Sequence, residues 1–428
     1  IIVGGSLAAS ANILHRKCNV NYCVIGDGEK IIINLTKLLL SNNFTENDLL
    51  NVKGITFLNE QNRFIFTGYG RPLSAEELPI PDYSILEKYG CIKHAIYDVP
   101  PWTSYGLKYK EDSTKKYAVI QTTKGCVARC TFCHRFEKGY RAKPPNQVKK
   151  WIKKLQQKYN VGYVSIGDEN FGSDKNQSRE IVEILNELGV QWTCAGVRAY
   201  TVNQDLLKFW KDKGCVMALY GIESGSPAML KVMEKKVTLQ QNINALKWTY
   251  EAGISTVIQL VIGMPGENDK TIRETIDFLI KCLPYTSENF KRNFIPTLSI
   301  NYAQSLPGTP LYEYARENGF IAKSIDAEEE YLMNISDVDA YNTDHFINYT
   351  GLPLLKVLTW RYWIYWDVSR EHIRVNLNLK FSFFEALGIN IYQLVRVLYS
   401  LLGLKFTYEY EPIIRLSNAV SKENNIFA

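Results

Sequence analysis

The sequence lacks both a strong excess of one charge and a long uninterrupted apolar segment. Its 428 residues include 50 lysines and arginines and 44 aspartates and glutamates, and the net charge of +6 is too small to indicate a nucleic-acid partner. The most apolar tract, residues 381–406, is interrupted by Glu385, Arg396 and Lys405, so we predict no membrane-spanning helix there. Residues 1–5, IIVGG, follow no cationic segment, and we expect that they are not a signal peptide.

Paired cysteines, internal repeats and a dinucleotide fingerprint are also missing. Nine cysteines are an odd number, and a chain of this length folds without a disulfide framework, so a reducing cytoplasm is predicted. No GxGxxG segment opens a helix, which disfavours a dinucleotide site. Six of the cysteines are scattered, and we interpret them as small buried hydrophobic residues. They are Cys18, Cys23, Cys91, Cys194, Cys215 and Cys282.

The first 90 residues have the pattern of an incomplete α/β unit. Residues 1–3 predict a buried strand, and because a chain seldom starts inside a core strand, we expect a preceding segment to be missing. Residues 91–116 include two adjacent prolines and little periodicity, which predicts a linker. Further elements are predicted at residues 22–25 (a strand), 31–40 (a helix) and 64–66 (part of a hairpin).

Strands and helices alternate from residue 117 to residue 310, which is typical of a parallel sheet with crossover helices. Six such units predict an incomplete barrel, with the loops that follow the strands gathered at one end. Residues 311–428 predict a helical region. The six strands are predicted at residues 117–122, 163–167, 191–196, 215–222, 255–263 and 294–303.

Three cysteines directly after the first barrel strand carry the strongest chemical signal. Cys126, Cys130 and Cys133 have C-x3-C-x2-C spacing, and three thiolates in one loop can bind three corners of a cuboid [4Fe–4S] cluster. No fourth cysteine stands nearby, so one iron is left for an exogenous ligand. Two alternatives remain open: a zinc site completed by His134, and a structural loop without metal.

These cysteines, with the aromatic Phe132 before the last one, resemble the radical S-adenosylmethionine (SAM) superfamily. The segment GDENF at residues 167–171 is similar to the motif with which that family binds the methionyl amine. The resemblance therefore implies that Glu169, or alternatively Asp168, accepts hydrogen bonds from SAM. It also implies that Phe132 lies against adenine, unless its ring only packs under the loop.

Two further segments of the barrel support the resemblance. GIESGS at residues 221–226 resembles the part that contacts ribose and carboxylate, which implies roles for Glu223 and Ser224. Arg198 is a candidate partner for a carboxylate, with a solvated or core-capping arginine as the alternative, and Lys236 is a weaker candidate. The segments IGMPGE and LPGTP, which follow the fifth and sixth strands, are familiar from cobalamin-linked members.

Residues 1–90 resemble the C-terminal part of a cobalamin-binding, Rossmann-like domain. The resemblance makes Gly4, Gly5 and Ser6 candidate cobalamin contacts, against the alternative of a plain turn. The family pattern Asp-x-His-x-x-Gly would lie before residue 1. The expected fold is thus α/β, with a partial (β/α)6 radical SAM barrel after an incomplete Rossmann-like domain and before a helical C-terminal region.

The function implied is generation of a 5′-deoxyadenosyl radical and cobalamin-dependent methyl transfer to an unactivated carbon of a small molecule. Cobalamin-linked oxidative cyclisation or rearrangement is the alternative within the family, and a non-catalytic metal-binding protein is the alternative outside it. A basic rim around the cysteines predicts an acidic electron donor of the flavodoxin or ferredoxin type. Its members are Lys124, Arg129, Arg135, Lys138, Arg141 and Lys143.

The aromatic run from Trp360 to Trp366 has three interpretations. It could line an apolar substrate cavity, lie against a membrane surface, or belong to the core of the helical region. Aromatic residues at helical spacing are most often core residues, so that interpretation is favoured.

Overall fold

The structure is a computed structural model that divides into two compact units. The first comprises Ile1–Val99, Ser113–Val190 and Gln304–Ile347, and the second comprises Pro100–Asp112, Gln191–Ala303 and Asn348–Ala428. The residues it describes are 1–41, 43–99, 114–133, 139–286, 298–335, 346–376, 395 and 398. The predicted domain limits at residues 90, 116 and 310 follow the sequence pattern rather than this division and stay a prediction.

A four-stranded sheet opens the first unit. Its strands lie in the order β1-β2-β3-β4, with β1 parallel to β2 and the other neighbours antiparallel. The strands are β1 (Ile2–Val3), β2 (Tyr22–Val24), β3 (Ile55–Leu58) and β4 (Phe64–Phe66). The helices are α1 (Ala11–Lys17), α2 (Gly28–Leu40), α3 (Glu46–Asn51) and α4 (Ser84–Lys88). The predicted second strand, helix and hairpin are therefore confirmed.

The burial predicted for the first strand is wrong. Ile1 is 70 % exposed and Ile2 is 37 % exposed, because β1 has only β2 as a neighbour in this sheet. The core of the sheet lies one strand further in. It includes Val24, Ile31, Leu35, Leu49, Ile55 and Phe57.

The rest of the first unit contains the first two barrel strands. Strand β6 pairs in parallel with β9, and β5 adds to β6 in the antiparallel sense. The strands are β5 (Ile96–Asp98), β6 (Lys116–Ile120), β7 (Thr123–Lys124), β8 (Arg141–Ala142) and β9 (Val161–Ile166). The helices are α5 (Pro145–Tyr159) and α6 (Lys175–Glu187). Strand β5 belongs to the segment predicted as a linker, whose residues 100–113 lie outside the described part.

Helix α5 shows why the sequence forms this crossover. Pro145 stands in its first turn, where a missing N–H costs nothing, and Asn160 ends it in the left-handed region at φ 55°. The apolar residues face the core, while Lys150, Lys153 and Lys154 between them are exposed. The buried residues are Val148, Trp151, Ile152 and Leu155, as predicted from their spacing.

The second unit contains four parallel strands in the order β10-β11-β12-β13. Helices separate most of them along the chain, as a parallel sheet requires. The strands are β10 (Gln191–Val197), β11 (Cys215–Glu223), β12 (Ile258–Ile262) and β13 (Leu298–Tyr302). The helices are α7 (Gln204–Asp212), α8 (Pro227–Val232), α9 (Leu239–Glu251) and α10 (Asp269–Cys282). All six predicted barrel strands are thus found, the last being described from residue 298 onwards.

Between residues 298 and 376, the described part of the chain has three helices after the last strand. They are α11 (Pro310–Glu317) and α12 (Ile325–Ile335) in the first unit and α13 (Leu354–Asn376) in the second. Trp360 of α13 is 1 % exposed and donates its indole N–H to Asp269 at 3.0 Å, so the core interpretation is correct for this residue. Within the described residues, no helix is both long and apolar enough to cross a membrane. The apolar tract at 381–406 lies almost entirely outside them.

Candidate active site

The three predicted cluster ligands lie between β7 and β8, and the described residues of this segment, 125–133 and 139–140, are called the cysteine loop below. The loop connects β7 to β8, and Gly125 opens it at φ 81°, where a side chain would be strained. The N–H of Cys133 donates to the carbonyl of Cys130 at 3.3 Å, which forms a turn between these two ligands. The thiols differ in exposure, since Cys130 is buried, Cys126 is partly buried and Cys133 is exposed.

The cysteine loop carries three thiols that a four-iron cluster can use. All nine cysteines belong to the described residues, and none of them forms a disulfide bond. Over those residues, no three His, Cys, Asp or Glu side chains form a group that could hold one metal ion. A four-iron cluster does not need such a group, because its thiolates bind different iron atoms. His134, the ligand that the zinc alternative requires, lies outside the described residues.

Asp168 joins the ends of β6 and β9. Its carboxylate accepts hydrogen bonds from the Thr122 N–H and hydroxyl, both at 2.6 Å, and from the Thr123 N–H at 3.1 Å. Burial raises the pKa of Asp168 to about 6, against the lowering effect of these hydrogen bonds. Because these donors occupy both carboxylate oxygens, the alternative assignment of Asp168 to the SAM amine is not supported by the geometry.

Glu169 is the better placed of the two carboxylates. It is partly buried and makes no hydrogen bond to any residue in the described ranges. Burial raises the pKa of Glu169, and the charge of Asp168 raises it further. A carboxylate in this state gains from a cationic amine, because the amine neutralises it and donates hydrogen bonds. Phe132, the predicted adenine contact, is partly buried in the cysteine loop.

The basic rim predicted around the cysteines is only partly correct. Lys124 pairs with Asp27 and Glu29, both at 3.0 Å, and Arg141 pairs with Asp27. Lys143 is buried, and burial lowers its pKa. Arg129 is exposed, as predicted. The remaining two members, Arg135 and Lys138, lie outside the described residues.

Two candidates of the second unit meet at Lys235. Glu223 Oε1 lies 2.7 Å from Lys235 Nζ, and the Arg198 guanidinium donates to the Lys235 carbonyl. Glu223 ends β11 at φ 64°, a conformation that costs about 1 kcal/mol or more in a residue with a side chain. The sequence suggested Lys236 as a weak candidate, but Lys236 is exposed and its neighbour makes the contacts.

Ser224 is committed to the turn that follows β11. Its hydroxyl lies 3.1 Å from the Thr275 hydroxyl and accepts from the Ser226 N–H at 3.0 Å, and the residue is 1 % exposed. A Cβ at Gly225 would lie 2.5 Å from Phe278 Cβ, so only glycine allows this close approach. These contacts support a structural role for Ser224 rather than the predicted ribose contact.

Glu267 is a residue to which the sequence analysis gave no role. It is 1 % exposed, accepts hydrogen bonds from the N–H groups of Gly263 and Met264, and its pKa is raised to about 7 by burial. The signal was present in the segment IGMPGE, where a carboxylate follows a tight turn at a strand end. The second carboxylate oxygen of Glu267, Oε1, has no hydrogen-bond partner among the described residues.

A cavity of about 1080 Å³ lies inside the first unit. The N-terminal sheet region and the cysteine loop both line it, and its volume exceeds the usual range for drug-sized ligands. Of the predicted cobalamin contacts, Gly5 and Ser6 line the cavity, whereas Gly4 does not. Lining residues from the cysteine loop are Cys126, Val127, Ala128, Arg129, Gly139 and Tyr140.

Residues 120–279, which include the cysteine loop and β9 to β12, match the family model of the Radical SAM superfamily. The segment is a radical SAM domain. Such a domain implies a [4Fe–4S] cluster and SAM as cofactors, and the residues present fit them. Cys126, Cys130 and Cys133 are the three thiols that would bind the cluster, and Glu169 is a carboxylate without a hydrogen bond to the described residues.

Curated relatives include proteins named as methyltransferases and cyclases. The chain is 28 % identical over 335 residues to an uncharacterized methyltransferase, PH0819, of Pyrococcus horikoshii, which covers 75 % of this chain and 64 % of the relative. It is 27 % identical over 264 residues to the anaerobic magnesium-protoporphyrin IX monomethyl ester cyclase of Cereibacter sphaeroides. This match covers 60 % of this chain and 40 % of the cyclase. The chain therefore spans between two fifths and two thirds of the length of these relatives.

Two solved structures share the fold. The cobalamin-dependent SAM radical enzyme OxsB, with aqua-cobalamin bound, aligns with a TM-score of 0.60 at 18 % identity, over 99 % of this chain and 62 % of OxsB. The radical SAM methyltransferase TsrM of Kitasatospora setae, with cobalamin and a [4Fe–4S] cluster bound, gives a TM-score of 0.55 at 15 % identity. The alignment covers 76 % of this chain and 58 % of TsrM. The predicted fold class, an α/β radical SAM barrel with accompanying helices, is confirmed.

Proposed function

We propose that this chain is a cobalamin-dependent radical SAM methyltransferase that methylates a carbon of a small molecule. The observation that carries the proposal is the cavity of about 1080 Å³, which Gly5 and Ser6 line together with Cys126 of the cysteine loop. A large cofactor in this cavity would contact both the N-terminal sheet region and the cluster. The names of PH0819 and TsrM, and the cobalamin in OxsB and TsrM, support this proposal.

Each residue of the proposed site has its own role. Cys126, Cys130 and Cys133 bind the cluster through thiolates, and Glu169 accepts hydrogen bonds from the SAM amine. When bound, the cluster and SAM supply a 5′-deoxyadenosyl radical, and cobalamin supplies a transferable methyl group. Asp168 holds the ends of β6 and β9 together, so that the cysteine loop and Glu169 keep a fixed separation.

The cluster ligands provide the first test, by anaerobic reconstitution with iron and sulfide. We expect the wild-type chain to form a cluster whose electron paramagnetic resonance (EPR) signal changes on addition of SAM. Replacement of any ligand, in Cys126→Ala, Cys130→Ala or Cys133→Ala, should abolish 5′-deoxyadenosine formation, because a two-thiolate loop cannot hold the cluster.

Cys18→Ala is the matched control, since Cys18 is an exposed thiol of the N-terminal region and is expected to leave the spectrum unchanged. A cluster that ignores SAM in the wild-type chain would contradict the proposal and favour a non-catalytic metal-binding protein. Normal turnover in any of the three ligand variants would remove that cysteine from the site.

Oxidative cyclisation is the second candidate, because one relative is named as a magnesium-protoporphyrin cyclase. Isotope tracing separates the two functions. A substrate that gains the methyl group of labelled SAM supports methyl transfer, whereas a product that has lost hydrogen and gained no label supports cyclisation.

The electron donor and the location of the protein belong to the same proposal. Arg129 and Cys133 are exposed in the cysteine loop, which supports approach of an acidic flavodoxin or ferredoxin to this side. Nine cysteines, none of them in a disulfide bond, support a cytoplasmic protein. Flavodoxin-dependent reduction of the cluster that weakens at high salt is the expected observation.

A further inference from the structure

Asp27 occupies an unusual position for an aspartate at the start of a helix. It is the N-cap of α2, yet in the described first turn its carboxylate makes no capping hydrogen bond. The carboxylate instead accepts the N–H of Leu73 at 2.8 Å and pairs with Arg141 and Lys124. A residue type that ordinarily stabilises its own helix is here used for contacts far away in sequence.

The two cations that Asp27 binds lie at the two ends of the cysteine loop. Lys124 is the last residue of β7, two positions before Cys126, and Arg141 is the first residue of β8. The Lys124 ammonium lies 3.0 Å from Asp27 Oδ1, and the Arg141 guanidinium approaches both carboxylate oxygens. One carboxylate therefore fixes the start and the end of the cluster-binding segment.

The ion pairs of Asp27 are largely buried. The exposed fraction is 4 % for the Asp27 side chain, 13 % for Arg141 and 21 % for Lys124. Glu29 adds a second acceptor 3.0 Å from Lys124. Loss of the Asp27 charge would remove a buried partner from both cations beside the cysteine loop, which is costly in a low-dielectric environment.

Asp27 also shapes the wall of the large cavity. It lines the cavity itself, beside Gly26. It holds the Leu73 N–H, while Arg141 donates to the Leu73 carbonyl at 3.2 Å, directly after the lining residues Arg71 and Pro72. The same contacts thus fix the loop after β2, the segment before Leu73 and both ends of the cysteine loop.

We propose that Asp27 is a positioning residue that ties the wall of the cavity to the cysteine loop. A ligand in the cavity and a cluster on the three cysteines are then held at a fixed separation. Binding at one of these sites therefore stabilises the other. The inference deepens the proposed function, on which the nature of the two ligands rests. The tie itself depends only on contacts within this chain.

The first arm of the test measures hydrogen–deuterium exchange in the whole chain without cluster or cobalamin. Asp27→Asn keeps the shape of the side chain and removes its charge. We expect exchange in peptides covering residues 122–133 and 139–143 to become about tenfold faster or more, because buried cations lose their partner. Glu87→Gln is the matched control, since Glu87 also binds a cation, Lys158, but lies away from the cysteine loop.

The second arm tests Arg141 as the partner of Asp27. It also asks whether Asp27 is needed for the cysteine loop to respond to a ligand in the cavity. Arg141→Gln should speed exchange of residues 139–143, and the double variant should exchange there no faster than Asp27→Asn, because the Asp27–Arg141 pair is already lost in that variant. In the wild type, hydroxocobalamin should slow exchange of the cysteine loop about fivefold or more. In Asp27→Asn it should leave the loop unchanged, even where it still binds by absorbance.

The outcomes separate this inference from the proposed function. Unchanged exchange in Asp27→Asn overturns the inference, whether or not the wild-type chain forms a SAM-responsive cluster. Equal exchange in Asp27→Asn and Glu87→Gln, or additive effects in the double variant, also overturns it. If the loop is released in Asp27→Asn but the wild type forms no SAM-responsive cluster, the proposed function fails and the positioning role stands.

Discussion

Glu267 places a carboxylate where the fold excludes water. Burial raises its pKa to about 7, whereas the ordinary value is 4.5. The folded chain therefore binds more protons than the unfolded chain between those two pH values. Stability from this residue is fully present below about pH 4.5 and is lost as the pH rises through about 7.

We predict that Glu267→Gln makes the chain less sensitive to pH. The wild type should lose about 3 kcal/mol of unfolding free energy from this residue between pH 4.5 and pH 7, and the variant should not. Urea denaturation of cluster-free protein at several pH values checks this. Asp168 titrates in an overlapping range in both proteins, so the difference between the two curves isolates Glu267. Parallel curves would contradict the assignment.

Single residues also show what sequence reasoning could reach. The three cysteines and Glu169 could be proposed from the sequence because each motif is local, with its spacing carried by a few adjacent positions. The pairing of Lys124 and Arg141 with Asp27 was not found, because the partners are about a hundred positions apart and nothing in the sequence joins them. The same limit explains the predicted basic rim, since a lysine looks solvated until its partner is known.

At the scale of elements, α5 connects β8, the strand after the cysteine loop, to β9, the strand before Asp168. Its apolar stripe made it predictable, and Leu155 of this stripe is fully buried. We predict that Leu155→Ala lowers the free energy of unfolding by about 2–5 kcal/mol, because it removes buried methyl groups and leaves a cavity. Chemical denaturation measures the change.

Lys153→Ala on the exposed face of α5 is the control and should change stability by less than about 0.5 kcal/mol. Equal losses in the two variants would contradict the orientation of the helix. The six barrel strands were predictable for a related reason, because alternation of strand and helix is a pattern of residue types. Strand β5 was missed because three residues between irregular segments show no such pattern.

At the scale of the whole molecule, neither compact unit is continuous in sequence. The chain leaves the first unit at residue 190 and returns to it at residue 304. The return matters for the site, because the N–H of Leu311 donates to the carbonyl of Thr131 in the cysteine loop at 3.0 Å. Such a contact could not be predicted from the motif LPGTP. The motif marks the segment before Leu311 but carries no information on which other segment it contacts.

The large cavity leads to a prediction about the molecule as a whole. If hydroxocobalamin binds there, a concentration 100 times its dissociation constant should stabilise the folded chain by about 3 kcal/mol and raise the melting temperature. Ser6→Trp, which places a large ring on the cavity wall, should abolish the shift. An equal shift in the variant would place the ligand elsewhere.

The unequal exposure of the three loop cysteines has a practical consequence. An alkylating reagent added to the cluster-free chain meets Cys133 first, then Cys126, and reaches Cys130 only when the loop opens. The rate at which Cys130 is labelled, relative to the other two cysteines, thus reports the rate of loop opening. Mass spectrometry measures all three rates in a single time course. Among these three cysteines, damage by oxygen during purification in air should likewise begin at Cys133.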